Sequence, residues 1–68
     1  MQIQITEDNS SFIYIDGDVE ISGELMKCYD GRKYFFKVEP NWFLDDNSED
    51  YWNDNWEDIE ESIIKKIQ

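Results

Sequence analysis

Three kinds of side chain could do chemistry in this 68-residue chain: carboxylates, a single thiol, and a group of aromatic rings. The carboxylates are concentrated. The 23 residues from Glu39 to Glu61 hold ten acids, no lysine or arginine, and the aromatics Trp42, Phe43, Tyr51, Trp52 and Trp56. The other 45 residues hold seven acids against six bases, so nearly all of the net charge of −11 sits in one segment. Without histidine there is no ordinary general base near neutral pH, and the lone Cys28 has no partner to activate it. A glycosidase-type carboxylate pair needs a cleft that a chain this short hardly forms. The chain is therefore expected not to be an enzyme.

Metal binding fares no better. Asp45, Asn47 and Glu49 match the one-three-five spacing of an EF-hand loop, but Asp50 stands where the loop needs glycine and Trp56 where it needs the final glutamate. Asp16-Gly17-Asp18 is a hairpin turn before it is a ligand set. No metal or other cofactor is expected. The negative charge repels nucleic acid and anionic lipid and attracts basic proteins. No apolar run approaches membrane-spanning length, and MQIQITEDN lacks the regions of a signal peptide. With one cysteine and no disulfide framework, the expected compartment is the cytosol.

Residues 1–68 are expected to form a single domain, with a core near the lower size limit. Alternation at Ile3 and Ile5 predicts a short strand, and Ser11 to Ile15 a second, dense in β-branched and aromatic residues. Asp16-Gly17 and Asp30-Gly31 carry the signal of two-residue type I′ turns. They predict strands from about Asp18 to Lys27 and from Arg32 to Glu39, the latter stopped at Pro40. That register sets Ile21 opposite Phe12, Val19 opposite Tyr14, Leu25 opposite Phe36, Gly23 opposite Val38 and Cys28 opposite Lys33. One face then collects Phe12, Tyr14, Val19, Ile21, Leu25, Tyr34, Phe36 and Val38 as core. The other carries Ile13, Ile15, Met26 and Phe35 among charges, an apolar patch to be covered by the N-terminal strand or by a partner.

From Trp52 the period becomes helical, with Trp52, Trp56, Ile59, Ile63 and Ile67 on one stripe. Asp54 and Glu57 resemble a capping pair, and Asn53, Asp54 and Asn55 are poor interior residues, so the expected start lies near Asp54, with an earlier start capped by Ser48 as the alternative. Asn41 to Tyr51 becomes a linker anchored by Trp42-Phe43-Leu44. The fold class is α+β, a four-stranded antiparallel meander with one C-terminal helix packed across Phe12, Ile21, Leu25 and Phe36.

Opposite the apolar stripe lie Asp54, Asp58, Glu61 and Lys65, with Glu57 beside them. Asp54/Asp58 and Glu57/Glu61 are like-charge pairs at helical spacing, each costing about 0.2–0.5 kcal/mol. A solvated helix face does not call for so many acids, and a local rule broken without local gain suggests a partner. The expected partner-binding set is Asp45, Asp46, Glu49, Asp50, Tyr51, Trp52, Asp54, Asp58 and Glu61. Tyr51 and Trp52 are its aromatic anchors because Trp42 and Trp56 are assigned to the core.

Ser22-Gly23-Glu24-Leu25, the strand Tyr34-Phe35-Phe36-Lys37-Val38, the Pro40 to Trp42 corner and the acidic helix ending Ile63-Ile64-Lys65-Lys66-Ile67 follow an order that resembles small α+β immunity proteins of bacterial polymorphic toxin systems. The resemblance covers most of residues 11–68, and Phe43-Leu44-Asp45 stands where that family usually has a proline. It implies an inhibitor of a cognate toxin; a monomer is expected over a homodimer. The same acidic surface would suit a phage-encoded nucleic-acid mimic that blocks a host defence nuclease. A different class of reading is a small structural or oligomerising domain that uses the Ile13, Ile15, Met26 and Phe35 face.

Overall fold

The computed structural model describes the whole chain, Met1 to Gln68. Four strands, β1 (Gln2–Ile5), β2 (Ser11–Asp16), β3 (Val19–Asp30) and β4 (Lys33–Phe43), form one antiparallel sheet in the order β1-β2-β3-β4. A single helix, α1 (Asp46–Ile67), packs on one face against β3 and β4. This is the α+β meander that the alternation of periods leads one to expect.

Both two-residue turns sit one residue later than expected. Asp16 pairs with Val19 and Asp30 with Lys33, so the loops are Gly17-Asp18 and Gly31-Arg32. Within them only the glycines have positive φ, 61° and 65°. Positive φ at the first central residue alone is the type II′ pattern and not type I′, and the aspartates flank the turns instead of filling them. Cross-strand partners are consequently displaced by two up to the bulge described below: Ile21 faces Tyr14, Leu25 faces Val38, and Cys28 faces Phe35. Since side chains alternate with period two, a displacement of two leaves each on its face. Phe12, Tyr14, Val19, Ile21, Leu25 and Val38 therefore form the core with Ile3, Ile59 and Ile63.

Tyr34 and Phe36 are the exceptions. The shifted register carries them beyond the end of β2, where Tyr34 is exposed and Phe36 only packs at the core's margin. From Met26 to Lys37, β3 and β4 run on as a two-stranded arm that holds four of the six bases: Lys27, Arg32, Lys33 and Lys37. The core side of the arm carries an aromatic row, with Tyr34 6.3 Å from Tyr29 and 6.1 Å from Phe36, and Lys27 Nζ 4.1 Å above the Tyr34 ring. Ile64 and Ile67 of α1 face the base of this row across a cleft of about 440 Å³.

Pro40 does not stop β4. Gly23 pairs with Pro40 and Ser22 with Trp42, so Asn41 is an extra residue on β4 and makes a bulge; proline is tolerated at such a place on an edge strand. The bulge presses the two backbones together at Gly23, which is buried. A Cβ there would overlap the Glu39 carbonyl oxygen and lie 2.7 Å from Pro40 Cα. Glycine is thus required at Gly23 by contact and at Gly17 by conformation alone, since nothing lies within 4 Å of a Cβ at Gly17. Gly17→Ala is expected to cost about 1 kcal/mol of backbone strain, and Gly23→Ala about 3 kcal/mol or more because main chain must move. Urea unfolding of the two variants gives the ranking.

Candidate acidic interface

The helix begins earlier than either expected start. Asp45 is extended and caps α1, its Oδ1 accepting the Ser48 N–H at 2.9 Å, while Asp46 and Glu49 occupy the first turn, where carboxylates gain from the helix dipole. Asp54 and Glu57 are interior residues and cap nothing. The modest propensity cost of Asn53, Asp54 and Asn55 is outweighed by burial of Trp52, Ile59 and Ile63 against the sheet. No linker runs from Asn41 to Tyr51: the strand reaches Phe43, and of the three expected anchors only Phe43 packs on the core, while Trp42 and Leu44 are exposed.

Ser48 is fully buried and serves β3 instead of capping. The Leu44 N–H donates to the Glu20 carbonyl at 3.0 Å, extending the β4 ladder by one bond. The chain then turns into α1, and the next ladder acceptor is supplied by Ser48 Oγ, which accepts the Glu20 N–H at 3.1 Å. A side-chain oxygen stands in for a strand carbonyl. One turn further, the Tyr51 hydroxyl donates to Asp16 Oδ2 at 3.1 Å, and its ring lies 6.4 Å from that of Tyr14. These contacts set the rotation of α1 about its axis.

That rotation places the expected acids where a partner can reach them. Asp45, Asp46, Glu49, Asp50, Asp54, Asp58 and Glu61 are all exposed. Asp46, Asp50, Asp54 and Asp58 follow one another at i,i+4 along the outward face, with Glu57 and Glu61 beside them. Lys65, 3.3 Å from Glu61, is the only cation paired there, and both side chains are open to solvent. Glu39 pairs with Lys37 at 3.1 Å. The other eight acids between Glu39 and Glu61 have no ion-pair partner. Lys37 is held above the usual lysine range by its hydrogen bond to Glu39 and that residue's charge, with a contribution from Glu60.

The aromatic anchors are exchanged. Tyr51 and Trp52, expected to be the aromatic anchors for a partner, lie inside a helix fixed by Ser48 and pack on the core half-buried. Trp56 and Trp42, assigned to the core, are 44% and 45% exposed. The helix axis explains Trp56. The buried line through Ser48, Trp52, Ile59 and Ile63 passes between positions 55 and 56, so Asn55 is half-buried on one side and Trp56 emerges on the other. Trp56 borders a shallow groove of about 420 Å³ with Glu57, Glu60, Glu61, Ile64 and Lys65, which makes it the accessible ring beside the acids. Trp42 lies on the opposite face of the sheet, next to Ser22.

Asp45, Asn47 and Glu49 fall on a cap and a first helical turn, so their spacing builds no ion-binding loop, and no group of three or more acidic or cysteine side chains is disposed to hold a metal. No helix is long and apolar enough to cross a membrane. No family model matches the chain, and neither a curated protein nor a solved structure matches it.

Ser48→Ala leaves the Glu20 N–H without its acceptor and is expected to cost about 1–3 kcal/mol, more than the roughly 1 kcal/mol of Asp45→Ala at the cap; chemical denaturation compares them. Burial foremost, then the neighbouring Tyr51 hydroxyl and the Asp16 charge, holds the Tyr14 hydroxyl well above the ordinary tyrosine range. The folded state thus keeps this proton to higher pH than the unfolded chain, so stability falls as pH rises past about 10. In Tyr14→Phe the alkaline fall, followed by urea midpoints between neutral and strongly basic pH, is expected to be shallower.

Proposed function

We propose that the chain is a stoichiometric protein inhibitor of the toxin-immunity kind, which covers a basic surface of its partner with the outward face of α1 and the Asp45-Asp46 entry to it. The observation that carries this reading is the uncompensated row of carboxylates. Asp46/Asp50, Asp50/Asp54, Asp54/Asp58 and Glu57/Glu61 are repulsive neighbours, each costing about 0.2–0.5 kcal/mol, and only Glu61 has a lysine beside it. In a chain this small, with a correspondingly small margin of stability, the acids beyond the first turn oppose the helix that carries them. A cationic cleft supplies the compensation. Such clefts belong to proteins built to neutralise phosphates, nucleases among them. The row would accelerate encounter with one and penalise other partners, and Trp56 adds the aromatic contact that charge alone lacks.

The test begins with capture of a partner from the native host on the immobilised chain, followed by affinity measurement with the purified partner. Asp54→Lys/Asp58→Lys/Glu61→Lys is expected to lower affinity by about 100-fold or more with the fold intact by circular dichroism. Affinity unchanged to within about a factor of two would show that binding lies elsewhere. Trp56→Ala is expected to raise the dissociation rate while leaving the salt dependence of association in place.

A further inference from the structure

The N-terminal strand pairs edge to edge with β2 and does not cover the Ile13, Met26 and Phe35 patch on the sheet face turned away from α1. The arm is the other part of the sheet that the chain leaves open, and its charge sets it apart. Met26 to Lys37 hold four bases and one acid, a net charge of +3, while the other 56 residues hold two bases and 16 acids, a net charge of −14. On the arm only Lys37 has an ion-pair partner, Glu39; Lys27, Arg32 and Lys33 have none. An acidic chain has gathered most of its unpaired cations on one projecting ribbon.

Side-chain alternation divides that ribbon. Met26, Cys28, Asp30, Lys33, Phe35 and Lys37 share the face turned away from α1, and Lys27, Tyr29, Tyr34 and Phe36 share the other. The single acid of the arm is thus on the far face. On the α1 side the Tyr29 and Tyr34 rings are 70% and 58% exposed, and they continue into the cleft of about 440 Å³ between Phe36 and Ile64, none of whose lining residues is acidic. Asp8, beside the lining residue Asn9, is occupied within its own loop: its Oδ1 accepts the Thr6 and Ser10 hydroxyls at 2.9 and 2.6 Å and the Ser10 N–H at 3.2 Å. The negative end of the α1 dipole borders the cleft as well, offset by Lys65 and Lys66 in the last turn.

We infer that the α1 side of the arm binds single-stranded nucleic acid, with bases stacked on Tyr29 and Tyr34 and phosphates met by Lys27 and Arg32. Exposed rings beside unpaired cations are the two components such a platform needs, since every base offers a flat face and every nucleotide a charge. Carboxylates of an acidic protein would use the cations and leave Tyr29 and Tyr34 idle. A duplex would keep its base faces inside its own stack. Lys27 Nζ lies 4.1 Å from the centre of the Tyr34 ring, on a flexible four-carbon stem, so it can yield the ring to a base and meet the phosphate attached to it. The cleft has the size of a site for one small ring-bearing group.

The acids of the helix do not forbid this. Asp58, the last of the i,i+4 row, precedes Ile67 by nine residues, a rise of about 13 Å, against a Debye length of about 8 Å at physiological salt. Of the nearer acids, Glu61 is paired with Lys65 and Glu60 acts on Lys37. The site shares no residue with the acidic row, and the inference goes beyond the inhibitor reading.

Fluorescence anisotropy of a labelled oligothymidine of about 15 nucleotides, titrated with the full chain up to millimolar concentration at physiological salt, is expected to show saturable binding. A duplex of the same length is expected to bind about tenfold more weakly or worse. Tyr29→Ala/Tyr34→Ala, which alters two exposed rings and keeps the fold by circular dichroism, is expected to lower affinity for the strand about tenfold or more. Lys27→Gln is expected to weaken it as well, whereas Asp54→Asn/Asp58→Asn is expected to bind no more weakly than the native chain. Absence of binding at millimolar chain, an affinity unchanged in the tyrosine variant or in Lys27→Gln, or a duplex bound as tightly as the strand would each overturn the inference. So would displacement of the labelled strand by a polyglutamate peptide as effectively as by unlabelled strand, which would make the arm a site for acidic protein.

Discussion

The buried Ser48 hydroxyl, bonded to the Glu20 N–H, ties the rotation of α1 to the sheet. A 22-residue helix could present any stripe to the core; the bond to β3 near its start, reinforced by Tyr51 on Asp16, leaves Ile59 and Ile63 inward and sends the i,i+4 series from Asp46 to Asp58 outward. The rest follows from that choice. Trp52 is committed to packing, Trp56 is displaced to the border, and the acids are gathered on the side where nothing in the chain offsets them.

The charge of the molecule is divided as a result. The Asp16, Asp18 and Glu20 end of the β2–β3 hairpin meets the Asp45, Asp46 and Asp50 end of α1, joined to it by the Tyr51 and Ser48 bonds. Toward the other end lie the arm bases and, in the last turn of α1, Lys65 and Lys66. In a chain 39 Å in its longest dimension this separation makes one end attractive to cations and the other to anions.

Most of the core was legible in the sequence because the side-chain period protects it. A turn that lies one position later moves the partners by two, so Phe12, Tyr14, Ile21 and Leu25 keep the same face while their neighbours change. The reach of the sheet was not protected in that way, and Tyr34 passed from the expected core to the exposed arm. The outward acids from Asp45 to Glu61 were legible from their spacing relative to Ile59 and Ile63. The helix start was hidden because Asn and Asp residues suit caps and interrupted turns equally well as local signals, and the contact that selects Asp45 over Asp54 is made by Ser48 with a residue 28 positions earlier. The exchange of Tyr51 and Trp52 for Trp56 follows from that one misplacement.

Beyond the first turn, the outward acids are carried against the stability of the helix that presents them. Urea unfolding of Asp50→Asn/Asp54→Asn/Asp58→Asn at low ionic strength tests it most directly, since these changes remove three repulsive i,i+4 pairs with little change in helix propensity. The variant is predicted to be more stable than the native chain by about 1 kcal/mol, with the gain shrinking at high salt as the repulsion is screened. A variant less stable than the native chain would show that these carboxylates serve the fold itself, and would contradict the account.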